Sequence, residues 1–225
     1  MAMESKSRKR RRPMANPAPL GLFGFAITTF VISCFNAGFF GVGVSDPINV
    51  VVTLGVFYGG LAQAAAGILE FSYGDTFAAT AFTSYGAFWL SYAALFIPWF
   101  GVSEGYKSAL GDTSHAQYVF SHAVATFLLA WTIFTYIMTV GSTRTSAALC
   151  TLFCLVALTL TLLTIGAFGH FHKVHRAGGV VGIITAIVAW YNALAELLDS
   201  QQKPIIRLPT GNLHQEATVE NDDCD

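Results

Sequence analysis

Charge is what this 225-residue chain has least of: Asp, Glu, Lys and Arg make up 11% of it, against 54% hydrophobic residues. A water-soluble domain usually carries about 25% charged residues, so the scarcity excludes an ordinary soluble fold. The few charges are also segregated. After Arg12 the next is Asp46, and uncharged runs then cover 47–69, 76–103, 113–143, 145–172 and 177–195. Cysteine is scarce too. Cys34, Cys150, Cys154 and Cys224 show neither a disulfide framework nor metal spacing, and the first three read as packing residues. There is no paired Asp, no HExxH run and no defensible Ser–His spacing, so an intramembrane enzyme is the weakest reading. Nothing in the pattern asks for a cofactor or a metal ion.

What the chain does have is apolar length. Each uncharged run is at least 19 residues long, and a membrane-crossing helix needs about 20 apolar residues. The expectation is an all-α polytopic membrane protein, a six-helix bundle with spans near 18–42, 48–71, 76–99, 117–140, 147–168 and 177–198. Strands in lipid are excluded because open backbone leaves polar groups unpaired there, and barrel-type alternation is missing. Ser45-Asp46-Pro47 and Tyr73-Gly74-Asp75 break the first two hairpins. Gly101 to Asp112 reads as a polar connector, Gly141 to Ser146 as a tight one, and Gly169 to Gly179 as a surface loop carrying His170, His172 and His175 rather than a zinc site.

Basic residues set the orientation. Six spans place both termini on one side, which then holds Lys6, Arg8 to Arg12, Arg144, Lys203 and Arg207, while Lys107, Lys173 and Arg176 lie opposite. The positive-inside rule makes that side cytoplasmic. The run Arg8 to Arg12 is read as a topology anchor on anionic membrane lipid, not as a nucleic-acid contact. No cleavable signal peptide is visible. The expected division is a basic cytoplasmic segment 1–15, a transmembrane domain 16–200 and a polar cytoplasmic tail 201–225, with the plasma membrane as the default location.

Residues three and four apart share a helix face. On the first span that rule groups Phe25, Thr29, Ile32 and Asn36; on the third it groups Ala81, Tyr85 and Trp89. Gly55, Gly59, Gln63 and Gly67 recur every four residues, a small-residue packing seam in which the Gln63 amide also suits a lined passage. Glu70, Asp75, Glu196 and Asp199 read first as solvated charges, and His122 as a hydrogen-bonded packing residue. No cation stands at mid-membrane. A permanent anion must therefore cross as its neutral acid or be held by helix N-termini and polar groups. Asn16-Pro17 suits either a plain helix start or such an anion site.

Three blocks carry a resemblance: NPAPLGLFGFAITTF from Asn16, FYGGLAQAAAGILE at 57–70 and TFAATAFTSYGAFWL at 76–90. Together they resemble the signature of the acetate uptake transporter family, which includes bacterial succinate–acetate permeases and fungal acetate and ammonia outward-transport proteins. The likeness extends over about 14–210. It implies passage of acetate and similar monocarboxylates, often linked to protons, in a ring-shaped homo-oligomer, commonly a hexamer, with one path per protomer. It also implies a hydrophobic constriction, which maps to Phe25, Tyr85 and, by counting along the fifth helix, Val156, where relatives often carry Leu. On this reading Asn16 receives the carboxyl group, Thr29, Asn36 and Gln63 line the path, and Glu70 is the candidate for proton linkage. The rival readings are conduction of ammonia or a small neutral amide, and a membrane sensor that transports nothing.

Overall fold

The computed structural model describes residues 15–43, 46–111, 113–211 and 213. The basic stretch 1–14 and the acidic end with Cys224 lie outside them. The chain forms helices α1 (Ala18–Ala37), α2 (Asn49–Val56), α3 (Gln63–Tyr73), α4 (Thr76–Ala94), α5 (Val102–Leu110), α6 (Thr113–Ser142), α7 (Ala147–Phe168) and α8 (His172–Asp199). A π-helical segment, Phe57–Ala62, joins α2 to α3. Among the described residues, five helical stretches are long and apolar enough to cross a membrane: Ala18–Ala37, Asn49–Tyr73, Thr113–Ser142, Ala147–Phe168 and His172–Asp199. Helix α4 has 19 residues, but Thr76, Thr80, Thr83, Ser84 and Ser91 dilute its hydropathy.

Several ends differ from the sequence expectation, each for a local reason. Helix α1 stops at Ala37, not at 42, because Gly38 adopts the left-handed conformation (φ 70°) and the Phe39 N–H reaches back to the Cys34 carbonyl at 3.0 Å. This is the usual glycine-terminated helix end. Helix α4 ends at Ala94, short of Pro98, which cannot continue a helix. The polar connector after it folds into the short exposed helix α5, with Lys107 bonded to Glu104 at 3.0 Å. The expected histidine loop is mostly helix, since α8 already begins at His172. Lys173 and Arg176 interrupt hydropathy without interrupting helicity, and the Arg176 Nε donates to the Ala37 carbonyl at 2.8 Å, closing the end of α1.

Helix α1 packs mainly on α8, α8 on α7, α7 on α6, and α3 on α4. Small residues permit these approaches. A Cβ on Gly59 would sit 2.6 Å from the Thr28 Oγ1, and one on Gly86 would sit 2.6 Å from the backbone nitrogen of Ala64. The glycine seam of the sequence therefore does pack helices, with Gly59 against α1 and Gly67 against Thr83 of α4. Beyond α8 the chain turns back: the carbonyls of Gly211 and Thr210 accept from the N–H groups of Ala147 and Ala148 at 2.6 and 2.9 Å.

Candidate functional site

Two of the cavities lined by the described residues lie inside the bundle. The first, about 240 Å³, is lined by Asn16, Leu22, Gln63, Glu70, Asn192 and Glu196 among others. The second, about 450 Å³, is lined by Thr29, Ile32, Asn36, Trp89, Thr159 and His175 among others. Three residues line both: Phe25, Tyr85 and Val156. All three are buried, at 8%, 5% and 7% exposure. Sites for drug-sized ligands run to roughly 300–1,000 Å³, so the first cavity suits only a small solute.

Tyr85 is the hub between the cavities. Its ring meets Phe25 edge-on at 5.9 Å and Phe134 at 5.6 Å, and lies 6.2 Å from Phe153. Its hydroxyl bonds the Thr135 Oγ1 at 2.9 Å, both groups being buried. Edge-to-face aromatic pairs add about 0.5–1.5 kcal/mol beyond area burial, so this cluster fixes the ring. Periodicity explains the rest of the wall. The predicted α1 face of Phe25, Thr29, Ile32 and Asn36 lines the second cavity as a group.

The polar candidates fall on the two sides of Tyr85. On one side Gln63 and Glu70 are each only 1% exposed, and one side-chain oxygen of each is buried without a protein partner. The π-helical segment contributes here, because its extra residue rotates the following turns, and such bulges concentrate at functional sites. Asn16 is more committed than the sequence implied. Its Oδ1 accepts from the Ala18 N–H at 2.9 Å, and its Nδ2 donates to the Glu196 Oε2 at 3.0 Å. On the other side Thr29 has a buried unpartnered Oγ1, and Asn36 Oδ1 pairs with His175 Nε2 at 3.2 Å.

Sequence reasoning missed a set of threonines and the contact of His175 with Asn36. Thr135 holds Tyr85, Thr159 pairs with Thr185 at 3.0 Å, and Thr132 pairs with Thr164 at 3.1 Å. The i, i+3 spacing of Thr132 and Thr135 on α6 was the available signal, masked because threonines in membrane helices usually bond their own preceding turn; Thr159 and Thr164, five apart on α7, share no face and gave none. Trp89, whose Nε1 is buried and unpartnered, also lines the second cavity.

Residues 2–215 match the family model described as the GPR1/FUN34/yaaH family. "Accumulation of dyads protein 2" of Saccharomyces cerevisiae is 47% identical over 87% of this chain, which spans only 65% of that protein's length. "Succinate-acetate/proton symporter SatP" of Escherichia coli is 35% identical over 89% of this chain and 97% of its own. Among solved structures, the bacterial acetate channel SatP superposes with a TM-score of 0.73 at 34% identity, covering 88% of this chain and 99% of that one.

Proposed function

This chain belongs to the GPR1/FUN34/yaaH family, and we propose that it is a multi-pass plasma-membrane transporter or channel passing acetate and other short-chain monocarboxylates. Passage is proton-linked and runs through each protomer of a homohexamer. In this reading α4 crosses as the sixth span, both termini are cytoplasmic, and the work is transport without catalysis. The observation that carries the proposal is the meeting, at Phe25, Tyr85 and Val156, of two largely apolar cavities that each carry a few polar side chains. A hydrophobic ring between two chambers slows any charged solute that must shed water, and admits small ones selectively.

Each group has a task in that path. Asn16 and the start of α1 receive the carboxyl group, because helix N-termini attract anions. Gln63 on one side of the ring, and Thr29 and Asn36 on the other, replace lost water hydrogen bonds. Glu70 takes up and releases the coupling proton. Glu70→Gln is therefore expected to abolish stimulation of acetate uptake by an inward proton gradient while leaving gradient-free acetate exchange. Labelled acetate uptake in proteoliposomes measures both, and stimulation that survives in the variant removes Glu70 from proton coupling.

Val156 sets the ring's width. Val156→Leu adds one methylene, and a methylene in an apolar pocket changes discrimination by roughly 10–200-fold. Uptake of lactate and propionate is expected to fall relative to acetate, read as the ratio of their kcat/KM values. An unchanged ratio counts against this position as part of the ring.

A second reading, conduction of ammonia, draws on the acids Glu70, Asp75 and Glu196 lining the first cavity. Uptake of labelled acetate that neither saturates nor exceeds empty vesicles would favour it.

A further inference from the structure

The second cavity holds polar groups that the protein itself leaves unanswered. Thr29 Oγ1 and Trp89 Nε1 belong to residues that line it and are more than nine-tenths buried, and neither atom has a protein partner. They lie one helical turn beyond Phe25 and Tyr85 of the ring. Buried polar atoms are rarely left unpaired, so the cavity is built for a polar guest. The same wall carries His175, the one basic side chain among the described residues that line it.

The imidazole is held before any guest arrives. A Cβ on Gly166 would sit 2.8 Å from the His175 Cα, so α7 presses on the α8 backbone at this point. The ring's Nε2 lies 3.2 Å from the Asn36 Oδ1. That oxygen only accepts, so Nε2 carries the hydrogen and the next proton goes to Nδ1. Protonation therefore adds charge without breaking the Asn36 bond.

The surroundings tie that proton to an anion. His175 is the fourth residue of α8, where the helix dipole opposes a cation and favours an anion. On α8 its basic neighbours are His172, Lys173 and Arg176, and the turn before it brings His170. Helices α1 and α7, packed on either side, bring no charged side chain. From α4, Tyr85 and Tyr92 line the cavity, and tyrosine ordinarily stays neutral below about pH 9. Asp46 is the one acid on the wall, and its Oδ2 accepts from the Gly43 N–H at 2.7 Å. Basic neighbours and the helix start both disfavour a lone imidazolium, and an anion beside it relieves both.

We propose that His175 is the carboxylate-recruiting residue of the second cavity, its imidazolium form holding the incoming anion and its neutral form releasing it. The inference rests on the carboxylate reading above and adds a proton site across the ring from Glu70.

Full-length protein in nanodiscs, isotope-labelled at histidine, is titrated by NMR in sodium acetate and in sodium chloride at equal ionic strength. The His175 signal is the one lost in His175→Gln. By linkage, an anion that prefers the protonated ring raises its titration midpoint. Acetate is expected to raise it by about one pH unit over chloride, the mark of a tenfold preference. In oriented proteoliposomes His175→Gln is expected to raise the KM for acetate about tenfold near pH 5.5 but not near pH 8, with kcat unchanged. His175→Lys is expected to keep the low KM at both, and His115→Gln, exposed at the start of α6, to match wild type. An unmoved midpoint, or a variant-to-wild-type KM ratio equal at both pH values, overturns the proposal. Wild-type vesicles that take up no acetate sink the carboxylate reading instead, and the midpoint in acetate still decides for His175. Where His175→Gln does not fold, His175→Lys supplies the assignment and the midpoint decides.

Discussion

Tyr85→Ala is expected to raise acetate leak severalfold and to erase discrimination between acetate and bulkier monocarboxylates. The side chain is 5% exposed and lines both cavities, so its removal joins them into one continuous space. Phe25 and Val156 cannot close that gap, since each packs from a different helix. The same change costs stability, about 3–5 kcal/mol for an aromatic cut to alanine in a packed core. Leak must therefore be normalised to the amount of folded protein. Tyr85→Phe separates width from polarity. It keeps the ring but removes the 2.9 Å bond to Thr135, a net loss of about 0.5–1.5 kcal/mol. Size selectivity is expected to survive in Tyr85→Phe, and Thr135→Val in the same chain is expected to add little further loss. Stopped-flow swelling of proteoliposomes with acetate, propionate and lactate reads the selectivity. Alanine at 85 with unaltered ratios would sink the gate.

The second large effect is on assembly of the fold. Gly86→Val is expected to eliminate monodisperse protein. A Cβ there meets the nitrogen, Cα and Cβ of Ala64 at 2.6 to 2.8 Å. Those are largely main-chain atoms that cannot rotate away, so α3 and α4 must separate. Overpacking of this kind typically costs about 1–3 kcal/mol, occasionally more, and a bulky β-branched residue against backbone belongs at the upper end. Gly105→Ala is the control, because nothing lies within 4 Å of an added Cβ on that α5 residue. It is expected to be neutral or to stabilise slightly, by about 0.5–1 kcal/mol through helix propensity. Size-exclusion profiles of the two variants fused to a fluorescent reporter make the comparison. A wild-type profile for Gly86→Val would show that the α3–α4 contact is looser than the geometry states.

The membrane-length helices were legible in the sequence because hydropathy and charge spacing act over twenty residues and survive local detail. The cavity wall on α1 was legible for a related reason: Phe25, Thr29, Ile32 and Asn36 follow the helical period, and their faces need no tertiary information. Other features depend on contacts between distant segments. The π-helical segment arises where Gly59 and Gly60 let the chain press on Thr28 and Leu90, and nothing in the FYGG run states that in advance. His175 reads as loop from the charged, glycine-bounded stretch around it, although its ring bonds Asn36, 139 residues away. The bond from the Asn16 amide to Glu196, 180 residues away, is likewise beyond the reach of local sequence.

The returning tail imposes an order on biogenesis. The first N–H groups of a helix have no partner inside it, and those of Ala147 and Ala148 find theirs on Gly211 and Thr210. A ribosome delivers those carbonyls only after all the described helices have been made. Helix α7 thus enters the bilayer with its leading amides bonded to water at the membrane surface, and the bundle is latched only when the last segment emerges. Truncation just before residue 210 would leave all the helices present and the latch open.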